Sequence, residues 1–343
     1  MRLDVAIIGA GPAGVASALS LKQLAPDARI ALFRRLRTLQ RRPVESLVPA
    51  ARKTLADLGC WEAFKAEAFP ESFGSRAVWG SDEPYENEFL YSLHGCGWHV
   101  NRARFDSMLL RCARAAGIEV HEAGGKSPAA GFTVDASGRS AVFATQQGAV
   151  RRASDGLVGV FAELEISKPC DTYTLIEAQE DGWWYSAPTG ELIAIAAWMS
   201  DADLVRQGMW REPGYFLATL TRAKFTSARF RGARVLHKPV VHAAQSQCLQ
   251  PVAGPDWVAA GDAAMTVDPL SSQGILNALR LGRLASFVAF DHLQGRVSHE
   301  RYRQLLTKEY AAYDNTRRGF YSVEQRWRQA PFWIRRAEQS EAG

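Results

Sequence analysis

The chain has 343 residues, 47% of them hydrophobic and 22% charged, with a formal net charge of +5. That length exceeds one ordinary core and points to two packed domains, while no apolar run approaches the roughly 20 residues of a membrane-spanning helix. Five scattered cysteines without a CxxC spacing and seven histidines without an HxxxH pair argue against a zinc site or disulfide framework and for free thiols in a reducing cytoplasm, with no metal.

The first element is the apolar run Val5 to Ile8, read as a buried parallel strand. No basic and apolar leader precedes it, so no secretory signal is expected and the localisation reads as cytoplasmic. Gly9, Gly11 and Gly14 follow in GxGxxG spacing; a helical pattern then runs to Leu24, Pro26 stops it, and Arg29 to Phe33 supplies a second strand. In such a unit Gly9 makes the tight turn, Gly11 lets backbone N–H groups approach a pyrophosphate, and Gly14 lets helix and strand pack closely. The helix N-terminus then favours the phosphates. The acidic residue expected to hold the ribose should fall near position 34, where this chain has Arg34. Either the ribose is held otherwise or a basic side chain reaches a phosphate. Arg34, Arg35, Arg37, Arg41 and Arg42 form a basic loop that suits an anionic cofactor or plain solvent equally. It carries no aromatic interleaving, so no nucleic-acid partner is expected.

Further along, His94 and His99 border a Gly-rich turn. His99 is a candidate acid or base near neutral pH, although a satisfied structural histidine is the commoner case. From Leu157 to Met199 the pattern is β-rich. Trp183, Trp184 and Tyr185 lie within it, as core aromatics or as the wall of a substrate pocket. No lysine or arginine occurs between Gly182 and Leu204 to pair with a free small acid.

The strand "WVAA" then runs into Gly261 and Asp262, and "DPLSSQG", with Pro269 and Gly274, opens a helix. A simple dehydrogenase has no need of this second motif. An aspartate here can accept hydrogen bonds from the polyol chain of a flavin, and the helix start can offer N–H groups to the flavin's pyrimidine edge. FAD is therefore the expected cofactor. Ser298 to Trp333 reads as one long helix whose Tyr302, Tyr310, Tyr313, Phe320 and Tyr321 pack on the cofactor domain.

GAGPAG, "NRARFDSML", "VDASGRS" and the GDAA…DPLSSQG segment occur in one order. Together they resemble the FAD-dependent aromatic monooxygenases of the para-hydroxybenzoate hydroxylase type, with their flavin halogenase and geranylgeranyl reductase relatives. "VESLVPAARKTLADLG", "GWHVNRARFD" and "EQRWRQAPFW" are similar to a tryptophan-halogenase-like subgroup that includes flavoproteins maturing cysteine tryptophylquinone enzymes.

The resemblance implies an α/β fold: a Rossmann-type FAD-binding domain (1–156 and 245–297), an inserted, mostly antiparallel β-sheet substrate domain (157–244) and C-terminal helices (298–343). It places Glu45 and Arg102 along FAD and gives Asp262 the ribityl chain. It implies a monooxygenase in which reduced FAD and O2 hydroxylate an aromatic ring, with electrons from NAD(P)H or a reduced-flavin system. A tryptophan borne by a peptide or protein is the expected substrate, and no integral membrane association is expected. Halogenation is the runner-up. The halogenase motif WxWxIP survives only as Trp183, Tyr185, Ala187 and Pro188, and the lysine such enzymes need has only Lys53 and Lys65 as candidates, each read first as a solvated helical lysine. The same motifs would also suit a flavin reductase or, with less support, a non-enzymatic flavin-binding scaffold. Between "GIEVHEA" and "FTVDASG" only Gly124 to Gly131 intervene, where the family has a longer excursion.

Overall fold

The computed structural model describes residues 3–35, 44–89, 92–122 and 129–341. Arg37, Arg41 and Arg42 of the basic loop, and residues 124–128 of the short segment, lie outside them.

Leu3–Ile8 forms the middle of a six-stranded sheet because from Val5 on its side chains are apolar on both faces, with Val5, Ala6 and Ile7 fully buried. The sheet runs Ala253–Gly254, Trp257–Ala259, Ala130–Asp135, Leu3–Ile8, Ile30–Arg34, Glu119–Glu122, and every pair is parallel except the first. From Leu3–Ile8 the chain first builds outward through Ile30–Arg34, then returns to place Ala130–Asp135 on the opposite side. That reversal leaves a crevice at the carboxyl ends of Leu3–Ile8 and Ala130–Asp135, where open α/β sheets bind ligands.

The second layer is an eight-stranded mixed sheet built on Leu157–Glu165, Ile193–Asp201, Gly182–Pro188 and Thr174–Gln179. It also takes Gly74–Val78 and Tyr85–Glu88 from before residue 157, so the 157–244 stretch does not supply it alone. All its pairings are antiparallel except that of Thr174–Gln179 with Gly74–Val78. Each face buries its own cluster. Trp183, Tyr185, Ala187, Ile195 and Ala197 pack with the C-terminal segment, whereas Trp184, Trp198 and Ala196 pack with Trp210 and Phe216.

The tail is two helices, His299–Ser322 and Pro331–Glu341, and not the single helix the sequence pattern suggests. Long-range contacts hold the break: Trp79 Nε1 donates to Phe320 O (2.8 Å), and the buried Glu324 carboxylate accepts from Gly80 N (2.8 Å). Pro331 then starts the next helix, as its missing N–H allows. Tyr302 is buried on the six-stranded sheet, donating to Ala259 O at 2.8 Å, while Tyr321 belongs to the cluster on the larger sheet and Phe320 is half exposed.

Candidate functional site

Gly9 ends the first strand at φ +112°, and a Cβ there would lie 2.1 Å from Ala136 O, so only glycine lets the two strand ends close. The Pro12–Leu24 helix starts at Gly11 with no side-chain cap and no acidic residue in its first turn. The Gly274–Leu293 helix starts at Gln273 in the same way. A Cβ at Gly11 or at Gly274 would meet nothing within 4 Å. Among the described residues no side chain caps either N-terminus, and the space beside Gly11 and Gly274 is open.

Small residues bring the two motifs together. A Cβ on Gly261 (φ +60°) would sit 2.6 Å from Ala13 Cβ, and one on Gly282 would sit 2.3 Å from Ala13 O. Ser17 Oγ lies 2.9 Å from both Ala13 O and Gly282 O, and Ser286 Oγ donates to Ser20 Oγ at 2.8 Å. The first turn of the amino-terminal helix and the Gly261–Asp262 turn thus form one surface. On it the half-buried Asp262 carboxylate accepts no hydrogen bond from any described residue. Asp135, by contrast, is occupied in shaping the facing turn, accepting from Ser137 N (3.0 Å) and Ala144 N (2.8 Å). Arg151, which sequence reasoning missed, donates to the carbonyls of Gly138, Asp262 and Ala263. Its Nε is buried without a partner among the described residues. Nothing in its local sequence distinguishes it from a surface arginine. Two open N-termini and a free carboxylate fit a ligand with a diphosphate and a polyol chain, as FAD has.

Glu45 and Arg102 meet directly. Val44–Leu47 pairs with Gly97–Asn101, and Arg102 opens the Arg102–Ala115 helix behind Asn101, whose side chain accepts from Arg104 N. Arg102 Nη1 lies 2.6 Å from Glu45 and Nε 2.8 Å from Asp106. Burial opposes the charge on Arg102, but the two carboxylates outweigh it and raise its pKa. Arg34 ends its strand and pairs with Glu122 on the neighbouring one at 3.1 Å, so a salt-bridged arginine stands where the acidic residue was expected.

Ser46 links this region to the larger sheet. Its Oγ lies 2.9 Å from Tyr185 Oη, 2.8 Å from Thr174 Oγ1 and 3.3 Å from His99 Nδ1. His99 Nε2 lies 2.8 Å from Thr172 O, which makes Nε2 the protonated nitrogen and Nδ1 an acceptor. Burial drives the His99 pKa down to about 4, so the ring is neutral and orients Ser46. Burial likewise pushes Tyr185 up to about 12. Trp183 is fully buried and donates from Nε1 to Tyr321 Oη at 3.1 Å, while Trp184 faces the other way.

The lysines are elsewhere. Lys65 pairs with Glu62 at 2.7 Å and Lys53 with Asp57 at 3.2 Å, each at least half exposed. Arg229 reaches Ser186 O (3.0 Å), but on the face opposite Tyr185. Among the described residues no cluster of metal ligands occurs, and no helix is long and apolar enough to cross a membrane.

A glycine turn at the switch point, a second helix N-terminus beside it and a mixed sheet above make up the FAD-binding fold that flavin-dependent halogenases share. A sequence profile described as tryptophan halogenase matches residues 81–342, and the chain belongs to that family. Like its relatives it is an FAD-dependent enzyme, and the family implies reduced flavin and O2. The presumptive FAD-dependent oxidoreductase LodB of Marinomonas mediterranea is 29% identical over 97% of this chain and 96% of its own length. The flavin-dependent halogenase CmlS superposes with a TM-score of 0.86 at 23% identity, covering 98% of this chain and 68% of CmlS. QhpG, a peptidyl tryptophan dihydroxylase essential for tryptophylquinone cofactor biogenesis, gives 0.80 at 24% identity over 98% of this chain and 79% of its own.

Proposed function

We propose that the protein is an FAD-dependent monooxygenase that hydroxylates an aromatic ring, a tryptophan side chain carried by a peptide or protein partner. The observation that favours oxygenation over halogenation is the placement of Lys53 and Lys65, both engaged in exposed i,i+4 and i,i+3 ion pairs on the cofactor domain. The WxWxIP motif is reduced to Trp183, Tyr185, Ala187 and Pro188 in the same way. The peptidyl tryptophan dihydroxylase QhpG accords with this reading, and the FAD-dependent oxidoreductase LodB with its flavin chemistry.

In this proposal the open N-termini at Gly11 and Gly274 hold the diphosphate and the pyrimidine edge of FAD, and Asp262 accepts from its ribityl hydroxyls. Arg102 and Glu45 lie along the cofactor, and Arg34 lies at the ribose end. When bound and reduced, FAD supplies activated oxygen from O2, its electrons coming from NAD(P)H or a reduced-flavin system. The sheet above, with the buried Trp183 and Tyr185 on its inner face, excludes water from the flavin. Remote contacts with a partner then supply the binding energy that positions the ring.

The test is turnover of free tryptophan, indole and a tryptophan-containing partner, with and without halide, followed by product mass and peroxide release. We expect one or two oxygen atoms added to the partner, with little coupled turnover of free tryptophan. Efficient, coupled oxidation of a free small aromatic overturns the partner half of the proposal. Halide incorporation overturns the monooxygenase half in favour of the family's namesake chemistry.

A further inference from the structure

Tyr321, in the last turn of the His299–Ser322 helix, joins three parts of the molecule through one hydroxyl. Its Oη accepts from Trp183 Nε1 on the sheet (3.1 Å) and donates to Asp268 Oδ2 (2.9 Å). Asp268 begins the turn that leads into the Gly274–Leu293 helix. Its Oδ1 accepts from Leu270 N (2.9 Å), its carbonyl accepts from Ser271 Oγ (2.8 Å), and its own N–H reaches Tyr313 Oη (2.6 Å). The turn ends at Ser272, which sits at φ +52°, a left-handed conformation that a serine holds only when its surroundings fix it. All three of Trp183, Asp268 and Tyr321 are buried.

The direction of the chain follows from its chemistry. An indole N–H can only donate and an ionised carboxylate can only accept, so the phenol must receive from Trp183 and give to Asp268. Removing the hydroxyl orphans a donor and an acceptor at once, both buried. The phenol ring is itself held: Trp79 packs edge-on at 5.5 Å, and the Arg336 guanidinium, bound to Asp201 at 2.9 Å, lies 4.9 Å above it.

We propose that Tyr321 is a positioning residue of the flavin site, its hydroxyl fixing the Trp183 indole and the Asp268–Ser272 turn in one register. The aromatic roof and the N–H donors at Gly274 then keep a constant separation, and the C-terminal segment sets it. This rests on the reading of FAD at those donors, but not on whether the product is hydroxylated or halogenated.

The experiment uses the FAD-loaded protein without aromatic substrate. Tyr321→Phe, Trp183→Phe and the double variant are compared by the visible absorption and circular dichroism of bound flavin and by its reduction midpoint. Thermal unfolding serves as the control for folding. We expect both single variants to shift the flavin bands and midpoint in the same direction, with the double variant shifting them no further than Tyr321→Phe alone. Additive shifts, or bands and midpoint unchanged in either single variant, overturn the proposal. Should Tyr321→Phe not fold, Trp183→Phe still decides, because it removes one bond and leaves the Tyr321–Asp268 pair. A wild-type protein that retains no FAD on reconstitution sinks the cofactor reading itself, a result distinct from unshifted bands.

Discussion

His99 and Asp268 are both buried, and burial acts on them with opposite sign. His99 falls from 6.5 to about 4, so between those values the unfolded chain binds more protons. Its contribution to stability is present above pH 6.5 and lost as pH falls through 4. For Asp268, burial and the nearby Asp155 raise the carboxyl from 3.8 to about 6, against the hydrogen bonds from Leu270 and Tyr321 and the charge of Arg336. Here the folded chain binds more protons, so stability is lost as pH rises from 3.8 through 6. Each effect is worth about 3 kcal/mol at its limit, on the scale of 1.36 kcal/mol per pKa unit. In the wild type the two slopes largely cancel between pH 4 and 6. His99→Gln should therefore expose the Asp268 slope and lose stability as pH rises from 4 to 6, whereas Asp268→Asn should gain it. Denaturant midpoints measured across that range test this, and equal slopes in the two variants would contradict both assignments.

Between elements, the decisive contact is the packing of Pro12–Leu24 on Gly274–Leu293, made possible by glycine and serine. Replacing Gly282 with Ala adds helix propensity of about 1 kcal/mol, yet its Cβ would stand 2.3 Å from the backbone oxygen of Ala13, which cannot rotate away. Overpacking of about 1–3 kcal/mol wins. Gly282→Ala is expected to lower the melting temperature and loosen FAD. Gly319→Ala, where a Cβ on an exposed helix position meets nothing, is expected to raise it slightly. Scanning calorimetry of the two variants separates packing from propensity, and a shift of the same sign in both would refute the argument. The same pair of helices shows what was legible. The GxGxxG spacing and the apolar strand before it are local, so the turn at Gly9 could be read directly. The facing of Trp183 and Trp184 could not, because Gly182–Pro188 is buried on both sides and shows no polar alternation. Nor could the break after Ser322, since Glu324 is held by Gly80 N, far away in sequence. The roles open to Tyr321 and Arg151 likewise depend on partners far off in sequence, Trp183 and Asp268 for the first and Asp262 for the second.

In the whole molecule the two sheets bury separate cores, and the C-terminal segment touches both, Tyr302 and Leu306 in one and Tyr321, Phe332 and Trp333 in the other. The Gly11 and Gly274 helix N-termini, neither capped by a side chain, lie beside the Asp262 turn, whose carboxylate accepts no hydrogen bond from any described residue. Removing FAD should therefore cost stability unevenly. With free FAD at 100 times its dissociation constant the linkage is about 2.7 kcal/mol, and the melting temperature should rise with FAD concentration. Hydrogen exchange should lose protection at residues 11–16, 261–264 and 270–277 in the apoprotein, with Leu157–Glu165 and Ile193–Asp201 little changed, since those strands are paired on both sides within their own sheet. Asp262→Ala should retain the apoprotein's melting temperature but weaken FAD by about ten- to a hundred-fold, the roughly 1.5–3 kcal/mol of a hydrogen bond to a charged acceptor. Titrating FAD against wild type and variant by flavin fluorescence gives that ratio. An unchanged affinity would remove Asp262 from the cofactor site, and uniform deprotection of both sheets on FAD removal would show that the two cores unfold as one.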